Sequence, residues 1–240
     1  MKRFFGLLAG FTLTAVSVAH AGSATAISIA TNGGRSSATA TSRGNADSLA
    51  IAAATRGGRA ISNSRARGGR RSYANSRSVA MADHGLAISN SNADARGRFG
   101  GRATADSESI AATIGGVAIS NSDAIARGTF FGSARSRSSS ISLSHHGVSL
   151  SDSRAISRGR FGGRASSVSD SLADSRYGVS RSRVRAISDA GFRARASANG
   201  VGLSVSRRFR AARTNVHAES RARRFGRSRA RVIATDVRGY

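Results

Sequence analysis

The sequence predicts an all-β protein, a β-solenoid with two strands per 31-residue repeat, glycine-rich arcs and a narrow interior lined by alanine and serine. Three observations predict it. A 31-residue period runs through the middle of the chain, side chains alternate with period two inside each repeat, and proline is absent from all 240 residues.

The period is visible by eye. Gly85-Leu86-Ala87-Ile88-Ser89-Asn90-Ser91 recurs as Gly116-Val117-Ala118-Ile119-Ser120-Asn121-Ser122, then as Gly147-Val148-Ser149-Leu150-Ser151-Asp152-Ser153, and again from Gly178. Each start lies 31 positions after the last, and Phe99, Phe130, Phe161 and Phe192 keep the same step. So do Val79, Ile110, Ile141 and Leu172. Self-similarity at a fixed period of this size marks stacked units that cannot bury a face alone.

Each repeat splits into two halves separated by glycine turns such as Arg98-Phe99-Gly100-Gly101 and Ile114-Gly115-Gly116. Glycine reaches the backbone conformations that tight arcs require. Within the halves, Ala103, Ala105, Ser107, Ser109 and Ala111 share one face, as do Ala118, Ser120, Ser122, Ala124 and Ala126. The opposite faces carry Arg102, Thr104, Asp106, Glu108 and Ile110, and Val117, Ile119, Asn121, Asp123, Ile125 and Arg127. Period two means strand. Unpaired charges are costly to bury, so the small residues are expected inside. The competing assignment puts Ile and Val inside with an asparagine ladder. Proline donates nothing to a ladder, which accounts for its absence from a chain made mostly of ladder.

Stacking at 31 residues sets Arg77 by Glu108, Asp106 by Arg137, Asp123 by Arg154, Asp152 by Arg183 and Arg158 by Asp189, opposite charges in every case. Such cross-strand pairs contribute roughly 0.2–1 kcal/mol each. The chain is expected to comprise a leader (1–21), irregular repeats (22–71), regular repeats (72–199) and an Arg-rich segment (200–240) serving as cap or basic tail. The leader reading rests on Met1-Lys2-Arg3, an apolar stretch from Phe4 to Val18 and the small-x-small triplet Ala19-His20-Ala21, with cleavage before Gly22. It implies export, to the medium or the cell surface. No further apolar segment is long enough to span a bilayer.

Cysteine is absent, so cohesion must come from hydrogen bonds and packing. The net charge is +26, and +24 once Lys2 and Arg3 leave with the leader. Every other basic residue is arginine, whose planar fork holds phosphate, sulfate or carboxylate. Arg71, Arg102, Arg164 and Arg195 recur at one register, interrupted by Ser133, and Arg96, Arg127 and Arg158 form a second column. Stacked like charges about 4.8 Å apart repel, so these columns are expected to take up a polyanion: acidic polysaccharide, lipopolysaccharide or extracellular DNA.

No catalytic constellation, cofactor motif or metal-ligand set is found. His84 and His146 share a repeat position, but Gly115 lies between them and no carboxylate cluster completes a ligand set. The serines lack a nucleophile turn, and the glycine arcs lack a phosphate-loop ending.

The leader, the glycine-punctuated two-strand repeats and the run Ala118-Ile119-Ser120-Asn121-Ser122-Asp123-Ala124-Ile125 resemble secreted bacterial fibre subunits of the curli type, across roughly residues 55 to 195. Curli-type repeats are shorter and carry inward Gln and Asn, whereas this chain has no Gln. The resemblance implies a bacterial subunit that polymerises end to end into a biofilm fibre. The other functional expectation is a monomeric adhesin that binds polyanions. An ice-binding face would need repeated Thr-x-Thr rows, which occur only near Thr39-Ala40-Thr41.

The register makes a local prediction. Asp123→Arg sets arginines at 123, 154 and 185 in one column and should lower the melting temperature more than Asp47→Arg; equal losses would count against the register.

Overall fold

A computed structural model describes residues 12–19, 22–69, 73–97, 101–129, 132–160, 163–191, 195–207, 211–223 and 226–239. Among them every regular element is a strand, and every strand pairing is parallel. No helix among the described residues is long and apolar enough to cross a membrane.

The chain coils. Strands β1 (Thr12–Ala19) and β2 (Gly22–Ala30) form one coil, β3 (Arg35–Gly44) and β4 (Ala46–Ala54) the next, β5 (Arg59–Gly68) and β6 (Tyr73–Ala82) a third. Strand β7 (Gly85–Gly97) leads into three 27-residue strands, β8 (Arg102–Gly128), β9 (Ser133–Gly159) and β10 (Arg164–Ala190). Each of these bends at its middle, so its first part joins one sheet and its second part the other. Strands β11 (Arg195–Arg207), β12 (Ala212–Ala222) and β13 (Arg227–Gly239) continue the stack. The first sheet contains β1, β3, β5, β7, the second parts of β8 to β10, and β12. The second sheet contains β2, β4, β6, the first parts of β8 to β10, β11 and β13. The predicted β-solenoid is the observed fold.

The coil length changes along the stack. Gly22 pairs with Ala46, an offset of 24, and Ala46 with Ala74, an offset of 28. From Ala74 and Ala105 onward the offset is 31, and Ser180 with Ala212 gives 32. Between its halves the coil of β3 and β4 has Asn45 alone, whereas four residues separate β5 from β6 and β7 from β8. The N-terminal coils are thus shorter, and their spacing changes from one coil to the next. Of the residues read as a leader, 1–11, 20 and 21 lie outside those described, while Thr12–Ala19 pairs as β1 with β3.

Alanine and serine face inward. Ala103, Ala105, Ser109, Ala111, Ala118, Ser120, Ala124 and Ala126 are buried, while Ile119 and Ile110 stand on the outside. The asparagines form their ladder outside as well: Asn90 Nδ2 donates to Asn63 Oδ1 and Asn121 Nδ2 to Asn90 Oδ1, each at 2.9 Å. Charge decides this arrangement. The strands that carry Ile119 and Ile110 on one face carry Asp123, Arg127, Asp106 and Glu108 on the same face, and water is the only affordable neighbour for that set.

Two serine zippers hold the sheets together. In one, Ser48, Ser64, Ser76, Ser91, Ser107, Ser122, Ser138, Ser153 and Ser169 alternate between the second and first sheets, with successive hydroxyls 2.7–3.0 Å apart. The other runs from Ser62 through Ser78, Ser89, Ser109, Ser120, Ser140, Ser151 and Ser171 to Ser182. Most of these hydroxyls also donate across the gap to a main-chain carbonyl, as Ser120 does to Ser109 O at 2.6 Å and Ser122 to Ser107 O at 2.7 Å. A single serine side chain spans the interior.

The first zipper ends where Val184 takes the register position of Ser153. Val184 is the bulkiest fully buried side chain described; Gly200 faces it and Val216 from the second sheet, and Gly202 faces Val216 and Thr214. A Cβ on Gly200 would lie 2.9 Å from Val216 Cγ1 and 3.2 Å from Val184 Cγ1. The glycines make room for valines.

Two overpacking predictions follow from this width. Gly200→Ala and Ser120→Leu should each cost roughly 1–3 kcal/mol, read from chemical denaturation, while the outward Ile119→Ser costs less. A larger loss from Ile119→Ser would exchange inside and outside.

Candidate polyanion-binding edge

The solenoid has two long edges, one for each kind of arc, and they differ in chemistry. The shorter arcs stack Asn32, Arg56 and His84, all with φ between 51° and 56°. The following coils place Gly115, His146 and Tyr177 in register behind them. At Gly116 and Gly147, where φ is 117° and 131°, a side chain would fall on the carbonyl oxygen of the coil beneath, so only glycine fits. His84 covers Gly115, and the rings of His146 and Tyr177 stack at 4.6 Å. His145 Nδ1 lies 2.6 Å from His146 Nδ1; desolvation, then the charges of His146 and Arg176, favour its neutral form. No group of three or more His, Cys, Asp or Glu among the described residues could hold a metal ion.

The longer arcs make the basic edge. Arg96, Arg127 and Arg158 stand in register at the ends of β7, β8 and β9, each followed by a buried glycine that lets the chain close toward the next strand. A Cβ on Gly97 would meet Gly101 O at 2.8 Å. The arcs are themselves stacked: Thr129 N donates to Gly97 O, Arg160 N to Gly128 O and Gly191 N to Gly159 O, at 2.8–3.1 Å. Backbone hydrogen bonds therefore continue the ladder one residue past each of these strands and fix the spacing of the arginines beside it.

On the other side of the same arcs, Arg102, Ser133, Arg164 and Arg195 are in register, and the column extends to Arg227. Arg71 lies outside the described residues. The two columns sit on the two outer faces of one edge, with Arg160 in the arc between them. Arg96, Arg127, Arg158, Arg160 and Thr129 line a furrow of about 280 Å³, and Arg158, Arg160, Asp189 and Arg223 line a second of about 210 Å³. The repeat pattern alone missed Arg160 and Arg227. Arg160 occupies a turn without a neighbour of its own kind, and Arg227 follows an offset of 32.

The side chains are presented unevenly. Arg102, Arg158, Arg164 and Arg195 are exposed. Arg127 is half-buried, and its Nε makes no hydrogen bond. Arg96 lies 3.4 Å from Asp94, and Asp189 closes the Arg158 column. Of the pairs expected at 31 residues, Arg77–Glu108 at 2.7 Å and Arg183–Asp152 at 3.9 Å are ion pairs. The other three are in register.

Burial pushes the carboxyl pKa of Asp106, Asp123, Asp152 and Asp170 up, and the neighbouring arginines only partly reverse it. At Asp123 the charges of Asp152 and Asp94 raise it further. The arrangement is an all-β, parallel solenoid with one arginine-lined edge. Comparison with protein-family models, curated protein sequences and solved structures finds no match for this chain.

A folded pKa above the unfolded one means that the folded state binds more protons, so these groups stabilise most at acid pH. Their contribution is complete below the unfolded value of about 3.9 and is lost as pH rises through the folded values. Once pH is below the range in which His145, whose lowered pKa acts in the opposite sense, takes up its proton, the melting temperature should therefore rise as pH falls toward 4, and Asp123→Asn should shrink the rise. A monotonic fall on acidification would refute this.

Proposed function

We propose that the chain is a secreted structural protein, a fibre or biofilm-matrix subunit that stacks end to end and binds acidic polysaccharide, lipopolysaccharide or extracellular DNA along its arginine edge. The observation that carries the reading is the in-register column Arg96–Arg127–Arg158 beside Arg102–Arg164–Arg195, at strand ends that are joined by cross-coil backbone hydrogen bonds. A rigid row of guanidinium groups suits a linear polyanion, since each contact releases counterions without first ordering a loop. Export and the resemblance to curli-type subunits stand as parts of this proposal.

End-to-end growth is supported by the parallel ladder. A coil accepts the next strand through main-chain groups that any further copy also possesses. The coil of β12 and β13 keeps inward-facing positions such as Ala230, Val232 and Ala234 exposed. Self-repulsion of a chain at +26 opposes this growth at low salt, and a polyanion relieves it.

Binding to duplex DNA across a salt series tests the edge. Arg96→Ser, Arg127→Ser and Arg158→Ser together should reduce the slope of log K against log salt by roughly two to three, at about 0.9 per phosphate contact. Arg56→Ser, on the opposite edge, should leave it unchanged. Light scattering and β-rich circular dichroism, with and without polyanion, test assembly. A chain that never assembles leaves the monomeric adhesin, and indifference to polyanions at low salt removes both readings.

A further inference from the structure

The outer face of the second sheet differs from the rest of the surface. Ile51, Val79, Ile110, Ile141, Leu172 and Leu203 form one unbroken aliphatic column along it. The adjacent column reads Ala53, Met81, Ala112, Leu143, Asp174 and Val205, with Met81 48% and Leu143 39% exposed. Between β4 and β10 this face carries Asp47, Asp106, Glu108, Asp170 and Asp174 against Arg77, Arg135 and Arg137, apart from the edge column. In a chain of net charge +26, this one face is close to neutral and can approach another copy of itself.

We propose that this face pairs with the same face of a second copy, the solenoid axes opposed, about a two-fold axis along the strand direction between the coils of Ile110 and Ile141. The charge pattern selects that register. Reversing the coil order about this axis sets Asp106 against Arg137 of the second copy and Arg77 against its Asp170, each pair occurring twice by symmetry. Ile110 meets Ile141, Val79 meets Leu172 and Ile51 meets Leu203. In the adjacent column Ala112 receives Leu143 and Ala53 receives Val205, while Met81 meets Asp174. Centring the axis on the coil of Ile110 instead sets Asp106 against its own copy.

The size is adequate. Six coils about 4.8 Å apart, crossed by five outward columns about 6.6 Å apart, outline roughly 700 Å² a side, close to the about 800 Å² per partner of a standard interface. The first sheet's outer face also has aliphatic columns, Leu86–Val117–Val148–Val179 beside Ile61–Ile88–Ile119–Leu150, but the second part of β10 sets Arg181, Arg183 and Arg185 across it, so that face is strongly basic and repels a copy of itself. The pairing leaves the Arg96–Arg127–Arg158 column, on the first sheet, and both ends of the stack free, so it does not depend on the proposed polyanion binding.

Sedimentation velocity on the full chain at about 0.15 M salt, without polyanion, tests it across a concentration series. The expected species has twice the 24.6 kDa chain mass and a fixed size, unlike end-to-end growth. Ile110→Asp should give the single chain with unchanged circular dichroism, and Ile119→Asp, on the first sheet, should stay paired. Arg137→Asp should weaken pairing at least ten-fold, and adding Asp106→Arg should restore it. A wild-type chain that remains single at every concentration overturns the proposal. So does unlimited growth insensitive to Ile110→Asp, or equal dissociation by Ile119→Asp.

Discussion

The distance between the two sheets is the constraint on which the rest of the structure depends, and serine sets it. A hydroxyl on one sheet reaches a carbonyl on the other with the shortest side chain able to do so, as Ser120 reaches Ser109 O at 2.6 Å. Such bonds contribute about 1 kcal/mol each in net terms, but removing one partner in a dry interior costs more than the bond contributed. The gap is consequently intolerant in both directions. Larger side chains cannot enter without strain, and a smaller one in place of a zipper serine would leave the hydroxyl opposite it without a partner.

A gap this narrow decides where everything else goes. Ile, Leu and Val have no interior to occupy, so they line the outside in cross-coil columns where neighbours above and below shield part of their surface. The apolar stripe on the second sheet is a consequence of serine packing inside. Val184 shows the rule through its exception: the interior admits valine only where Gly200 and Gly202 surrender their side chains opposite. Stability without cysteine, proline or a large-residue core thus comes from repetition of a small contact.

Much of this was legible in the sequence because both governing periods are simple. Alternation at period two identified Ala118, Ser120 and Ser122 as one face, and the cost of burying Asp123 and Arg127 turned that face inward. The 31-residue step gave the register that the ion pairs Arg77–Glu108 and Arg183–Asp152 occupy. The rest was hidden where the step changes. Offsets of 24, 28 and 32 arise from arc length, which no side-chain pattern reports, so the N-terminal coils looked irregular and Arg227 was missed. The compensation of Val184 by Gly200 pairs residues of opposite sheets, which a cross-coil period does not connect. The two arginine columns were found separately; that they flank one edge follows from the arcs between them.

The distribution of charge gives the solenoid sides with distinct duties. Arginines collect at the strand ends that flank the longer arcs, where the backbone is hydrogen-bonded to the neighbouring coil, so this edge is strongly basic. The shorter arcs carry His84, His146 and Tyr177, whose rings stack on the coils rather than repel them. The second sheet's outer face is nearly neutral because Asp106, Glu108 and Asp170 offset Arg77 and Arg137. Burial works against those carboxylates, since it raises the pKa of Asp106 and Asp170 even beside Arg137. Folding alone would favour neutral residues there. A copy of the same face, in the proposed pairing, would set Asp106 and Asp170 against Arg137 and Arg77 without any second sequence.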